Sequence, residues 1–299
     1  MSDNDAEFQA IVNELWGKNP QLETQNYGEI LRGDKIVEDV IVKNAKEKIL
    51  YVHRKTATEH IYWLNNRSAN TNEAEISFRV SGAVPELWHP QTGKTQSVSY
   101  QIKDGRTIIA LKFESWDAYF IIFKNKATEL SYKKPVLEEK QVLTIASPWK
   151  VTFQEGRGAP QTTTFNKLIS WSENIEGGIK YFSGTATYQN TFKMPSMEKG
   201  TGYEIDLGEI KNMAEVIING KNIGTVWKKP FKMNITEGLK VGDNTIEMKV
   251  TNLWVNRLIG DAQPDVKQKI TFTTMPFYQA NSPLLPSGLM GEVKILMKK

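Results

Sequence analysis

No cysteine occurs in the 299 residues. Thiol catalysis, disulfides and cysteine-ligated zinc are therefore excluded, although this absence does not choose a compartment. Histidine is nearly as scarce, with only His53, His60 and His89. His53 and His60 stand seven apart on strand-like segments rather than at i, i+4 on a helix. No HExxH run exists, so a catalytic zinc site is not expected. No GxSxG elbow marks a nucleophilic serine, and Ser183-Gly184 at a strand entry has no cue for a base. Gly156-Arg157-Gly158 is too short for a phosphate-cradling loop and is not set between a strand and a helix. No apolar run reaches the ~18 residues that a membrane span needs. Met1 to Glu7 is polar and acidic, with no signal-peptide core behind it. A native Met1 implies a cytosolic protein; a mature or excised piece with a fresh start methionine would read the same way. An excess of one charge is also missing. The net charge is only +4 and the lysines are scattered, so no nucleic-acid partner is inferred.

What is present is β pattern. The length suggests about two domains of roughly 150 residues, each large enough to bury a core without disulfides or metals. The first ~45 residues differ from the rest. Phe8, Ile11, Val12, Leu15 and Trp16 make one apolar stripe of a helix. Asp3 or Asp5 can cap its start, and Gly17 with Pro20 ends it. Ile30 and Leu31 hint at a second helical turn, and Ile36–Val42 at a strand. Residues 1–45 are thus expected to be a strap, or the tail of a larger α/β unit. From Lys48 the period becomes two. Strands are expected at Ile49–His53, His60–Asn65, Glu75–Val80, Ser97–Ile102, Thr107–Phe113 and Ala118–Phe123, with turn residues between them. Residues 46–130 therefore predict an antiparallel β-sandwich. Residues 131–147 are richer in charge and read as a linker, with strand pattern returning near Val142–Ile145.

Residues 148–299 predict a second sandwich of the jelly-roll kind. Its expected strands are Lys150–Phe153, Gly184–Phe192, Tyr203–Leu207, Ala214–Asn219, Gly224–Val226, Lys232–Ile235, Asn244–Val250, Lys269–Phe272 and Val293–Met297. Asn219-Gly220 signals a tight hairpin, since both residues tolerate positive φ. The fold class is thus all-β, two antiparallel sandwiches with a short N-terminal helical segment.

One stretch breaks the pattern. After Val250 runs Thr251-Asn252-Leu253-Trp254-Val255-Asn256-Arg257-Leu258-Ile259-Gly260-Asp261. Trp254 offers a flat apolar face for the C–H side of a sugar ring. Asn252, Asn256, Arg257 and Asp261 offer partners for hydroxyl groups, the make-up of a ligand pocket. The same residues can instead lock a loop corner, with Trp254 in the core and Arg257 paired to Asp261. Trp171 and Trp227 also lie beside loops, where sugar stacking competes with core packing. Candidate carboxylates for glycosidic cleavage, such as Glu173, Glu176, Asp206 and Asp261, are too plentiful for any pair to be marked. No metal or cofactor is required by the pattern. A structural calcium held by backbone carbonyls and one or two carboxylates is compatible with a jelly roll.

Several segments, in this order, resemble a known family: Ser183-Gly184-Thr185-Ala186-Thr187-Tyr188; Asp206-Leu207-Gly208; Ala214-Glu215-Val216-Ile217-Ile218-Asn219-Gly220; Gly224-Thr225-Val226-Trp227 with Pro230; and Thr251 to Asp261. Together they are similar to the galactose-binding-like jelly roll of glycoside hydrolases, the family 2 sugar-binding type. The last motif looks most like the C-terminal region of family 106 α-L-rhamnosidases of gut Bacteroidetes. In the first half, His53-Arg54, Ile61 to Asn66, Phe78-Arg79 and Pro85 to Gly93 look like the β-domain that follows the catalytic barrel there. His89 departs from the family pattern, which more often has Asp. The resemblance covers about residues 45–299. It implies a periplasmic or extracellular enzyme that degrades plant polysaccharide, with its acid/base carboxylates and a calcium in a (β/α)₈ barrel. None of that barrel is in these residues. The expected role is therefore a non-catalytic carbohydrate-binding or accessory region, with a rhamnose-containing or other plant glycan and the missing catalytic domain as partners. A purely structural brace and a small self-contained glycosidase are the alternatives.

Overall fold

The computed structural model describes residues 5–14, 28, 31, 33 and 35–299. The chain divides into two compact units, Met1–Lys134 and Pro135–Lys299, and nearly all of their regular structure is antiparallel sheet. A helix covers Asp5–Val12, with Phe8 and Ile11 exposed. Asp3, Leu15, Trp16, Gly17, Pro20 and Ile30, which the sequence assigns to this region, lie outside the described residues.

The first unit holds β1 (Val40–Lys43), β2 (Ile49–Lys55), β3 (His60–Asn66), β4 (Asn72–Phe78), β5 (Ala83–Trp88), β6 (Thr95–Ser97), β7 (Tyr100–Lys103), β8 (Arg106–Phe113), β9 (Ala118–Lys126) and β10 (Ser131–Tyr132). They form two five-stranded sheets, ordered β1-β4-β8-β7-β10 and β2-β3-β9-β5-β6. Alternation sends every second side chain inward. Ile76 and Phe78, Ile109 and Phe113 come from one sheet; Tyr62, Leu64, Ile121 and Phe123 come from the other. All share one buried core, each worth roughly 1.5–3 kcal/mol relative to exposure. Asp104 and Gly105 turn β7 into β8 with φ of 51° and 73°.

Two expectations are corrected here. Ser97–Ile102 is not one strand: β6 and β7 lie in different sheets, with Val98 buried where the chain crosses. Strand β5 was not anticipated because Pro85 interrupts its pattern. The proline is accommodated at a register shift against β9, one of the few strand positions that suit it.

Residues 131–147 are strand at both ends. β10 pairs with β7 in the first unit, and β11 (Glu139–Ile145) opens the second. The second unit continues with β12 (Trp149–Phe153), β13 (Thr162–Phe165), β14 (Thr185–Met194), β15 (Gly202–Asp206), β16 (Ile210–Lys211), β17 (Met213–Ile218), β18 (Lys221–Val226), β19 (Lys232–Asn234), β20 (Gly242–Thr251), β21 (Gly288–Leu289) and β22 (Val293–Lys298). A six-stranded sheet runs β13-β12-β14-β20-β17-β18, a four-stranded sheet runs β11-β22-β15-β19, and β16 pairs with β21. This is the jelly-roll sandwich. Its core joins Trp149, Val151, Tyr188, Val216 and Met248 from the larger sheet to Tyr203, Ile205, Val293 and Ile295 from the smaller. Asn219 and Gly220 turn β17 into β18 with φ of 51° and 79°. The expected strand at Lys269–Phe272 does not form, because the amides of Ile270 and Thr271 are taken by a side chain, Asp261.

Candidate functional site

Strand β20 ends at Thr251 and the chain turns at Asn252 into a helix, Val255–Asp261. Sequence reading missed this helix because seven residues are too short to show a period. Each polar side chain of the stretch is committed within the protein. Asn252 zips the turn to the start of β14: its Nδ2 donates to the Phe182 carbonyl and its Oδ1 accepts from Gly184 N–H, both at 2.9 Å. The buried Ser183 hydroxyl donates to the Leu253 carbonyl at 2.9 Å and accepts from Arg257 N–H at 3.1 Å. Asn256 holds residue 285 from both sides, donating to its carbonyl and accepting from its N–H at 2.8 Å each.

Arg257 and Asp261 form the centre of the corner. Nη2 of the arginine lies 3.0 Å from Oδ1 of the aspartate, with the two side chains 7% and 5% exposed. Oδ2 accepts from Ile270 N–H, Thr271 N–H and the Thr271 hydroxyl at 3.0, 2.7 and 2.6 Å. Burial alone would raise the Asp261 pKa. The Thr271 hydroxyl and amide, the Ile270 amide and the Arg257 charge outweigh it and hold the carboxyl below its ordinary value. Gly260 is required by this packing. A Cβ there would sit 2.5 Å from Arg257 Nη2 and 2.6 Å from Tyr181 Cβ.

The three tryptophans part company. Trp171 is fully buried; its Nε1 donates to the Tyr188 hydroxyl at 2.6 Å, and Phe153 and Phe182 meet its ring edge-on. A side chain so enclosed cannot stack on a sugar, so its candidate role is corrected to core. Trp254 is half-exposed rather than core, but the Arg157 guanidinium lies over its ring, 4.6 Å from the centroid. Trp227, at the end of β18, is 57% exposed.

The candidate carboxylates are partly occupied too. Asp206 faces Lys232 at 3.4 Å and accepts from Gly208 N–H. Glu176 caps a short helix through Gly178 N–H. Among the described residues, no group of three or more histidine, aspartate or glutamate side chains gathers as metal ligands do. A calcium held mainly by carbonyls would leave no such group.

Comparison with known proteins bears on this geometry. The family model of α-L-rhamnosidases, glycoside hydrolase family 106, matches residues 1–102. A solved rhamnosidase from Novosphingobium sp. PP1Y superposes with a TM-score of 0.85 and 37% identity, covering 91% of this chain and 26% of its own. Residues 1–102 thus resemble the α-L-rhamnosidase family, and most of the chain is similar to part of one solved rhamnosidase. The chain is also 38% identical over 180 residues to a Formosa agariphila protein named "Putative beta-glucuronidase", covering 52% of this chain and 16% of the relative. It is 31% identical over 96 residues to a second protein of that organism, named "Beta-glucuronidase", covering 30% of this chain and 10% of the relative. The chain thus spans between a tenth and about a quarter of the relatives it matches.

Two concavities mark the described residues of the jelly roll. A small pocket of about 150 Å³ is lined by Asn252, Leu253 and Asn256 with Lys211, Asn212 and residues 285–287. Two of the expected site residues, Asn252 and Asn256, thus line it. A groove of about 610 Å³ crosses the solvent face of the six-stranded sheet, and none of the seven expected residues lines it. Its floor follows one row of paired residues, Thr164, Lys150, Gln189, Glu247 and Ile217. Gln189 donates to Glu247 there at 2.9 Å. No sequence signal distinguishes that row from any other solvated sheet face.

Proposed function

We propose that the chain is the non-catalytic accessory region of an α-L-rhamnosidase-type glycoside hydrolase acting on plant polysaccharide, and that it contributes carbohydrate contact beside a catalytic domain. The observation that carries this reading is the size of the match. It extends over 91% of this chain but 26% of the solved rhamnosidase, as expected of a supporting part of a larger enzyme. The condition of the candidate carboxylates supports the same side, since Asp261 is buried in its pair and Asp206 is engaged by Lys232. A periplasmic or extracellular location belongs with this reading.

A structural brace is the second reading, favoured by the corner itself. Asn252, Asn256, Arg257 and Asp261 are spent on the protein's own backbone and on one another. Of the three expected tryptophans, Trp227 and part of Trp254 leave ring surface for a sugar. Purified chain is expected to release no phenol from an aryl α-L-rhamnoside and to give saturable heat with rhamnose-containing pectic oligosaccharides. Hydrolysis abolished by Glu173→Gln would make the chain a glycosidase in its own right. No heat with any glycan would leave the brace.

A further inference from the structure

Residues 270–291 contain no charged side chain, in a chain where 24% of residues are charged. Within that stretch Phe272, Met275 and Phe277 are 88%, 73% and 78% exposed. Three large apolar side chains so exposed within six residues exceed the scattered apolar residues of an ordinary surface and point to a binding site. The segment is also held in place. Asp261 takes both amides at 270 and 271, Gln263 Nε2 donates to the Ala280 carbonyl at 3.0 Å, and Asn256 clasps residue 285. Three side chains from one helix and its end thus pin the base. Two local turns stiffen the tip: Thr273 Oγ1 donates to the Met275 carbonyl at 2.9 Å, and Ser282 Oγ accepts from Gln279 N–H at 3.0 Å.

We propose that residues 272–282 form a carbohydrate-contacting loop, in which Phe272 and Phe277 lie against the C–H faces of neutral sugar rings. This rests on the reading of the chain as a glycan-contacting region and assigns its site. The chemistry of the loop selects the occupant. Exposed Thr274, Gln279 and Asn281 add hydroxyl and amide groups to the same segment, which suits a ligand with apolar faces and hydroxyl edges. With no cation or carboxylate in the segment, an ion-paired ligand has nothing to meet. Preordering lowers the entropic cost of binding. It also gives the corner its purpose: Asn256 and Asp261 act on the ligand through the loop they hold. Trp254 is the weaker platform, because Arg157 already occupies ring surface.

The test is calorimetric titration of the full chain with two probes, a neutral rhamno-oligosaccharide and a uronate-bearing rhamnogalacturonan oligosaccharide. The variant is Phe272→Ser/Phe277→Ser. Because both phenylalanines face solvent, the double variant should keep the wild-type melting temperature. Expected is saturable heat from wild type and affinity lowered about tenfold or more in the double variant. Equal affinity of wild type and the double variant overturns the loop assignment and leaves the glycan-contacting reading intact. No saturable heat from wild type with either probe overturns that reading and the loop with it. Light scattering supplies the remaining outcome: a wild-type dimer lost in the double variant would make a second copy the occupant and overturn the proposal.

Discussion

Asp261→Asn is the most exacting perturbation of the corner. The carboxylate faces two ways, with Oδ1 at 3.0 Å from the Arg257 guanidinium and Oδ2 receiving three donors from residues 270 and 271. An asparagine oxygen can serve the Oδ2 side. Its NH₂ then faces the guanidinium, donor against donor. Three hydrogen bonds to a charged acceptor, each worth about 1.5–3 kcal/mol, fall to neutral ones of about 1 kcal/mol. Arg257 keeps its charge at 7% exposure with no counter-ion, and a buried pair broken on one side costs about 3–5 kcal/mol. These contributions overlap, so the expected loss is about 3–5 kcal/mol rather than their sum. Against a usual stability of about 5–15 kcal/mol, that is a large share. Urea unfolding followed by tryptophan fluorescence reads it in the second unit, with the transition of the first unit as internal reference. Hydrogen exchange adds a local readout, since the amides of Ile270 and Thr271 should lose protection. Arg257→Ala should cost a similar amount, and the double variant should show coupling of about 1–3 kcal/mol. A midpoint equivalent to within about 0.5 kcal/mol of wild type, with both amides still protected, would refute the account.

Other outcomes follow from the same geometry. The Asp261 carboxyl is held below its ordinary value of 3.8, so its contribution is complete above that pH and is lost as pH falls through the lower folded value; acid unfolding of the second unit should start at higher pH in Thr271→Val. In the first unit His53 Nδ1 meets Asp39 at 2.8 Å, and its Nε2 lies 3.0 Å from His60 Nδ1. Burial, then His53 and Lys55, lower the His60 pKa below 6.5. Neutral His60 therefore supports the fold above pH 6.5, and that support is lost as pH falls below it. His60→Gln should flatten the change in first-unit melting temperature between about pH 7.5 and 5.5. Trp171→Ala should destabilise the second unit by about 3–5 kcal/mol in urea, and an unchanged midpoint would contradict its place in the core. Gly288→Ala should be similarly harmful, because φ is +93° and the new Cβ would fall 2.5 Å from the Trp171 indole; a normally folded variant by circular dichroism would refute that contact.

Strands with one buried face were legible because alternation is local. Tyr203–Leu207 and Ala214–Asn219 were expected within a residue of β15 and β17, and the Asn219-Gly220 turn followed from its two residue types. What lay outside the sequence was long-range competition for backbone groups. Ile270 and Thr271 have strand propensity, but nothing local says that a carboxylate nine residues away takes their amides. The corner shows the same limit. Trp, Asn, Arg and Asp can serve a ligand or a lock, and only their partners decide. Both open readings of Trp254, sugar platform or core, missed the guanidinium that lies on it, since Arg157 is almost a hundred residues distant. Trp171 and Trp227 look alike in sequence, yet one is fully buried and the other mostly exposed. The aromatic loop went unread because its phenylalanines lack any period.

The smaller sheet of the jelly roll sets an order of events. Strand β22 lies between β11 and β15, so Glu139 is paired with Lys298 and Gly202 with that same lysine. The middle of the sheet is thus the part translated last. On the ribosome the first unit can close once residue 132 has emerged, while β11 must wait with an open edge for a partner about 150 residues downstream. Contacts so distant in sequence slow folding, and an exposed strand edge during that wait is a route to aggregation. Vectorial synthesis should therefore yield two kinetic phases, a fast one for the first sandwich and a slow one that starts only when β22 slides home.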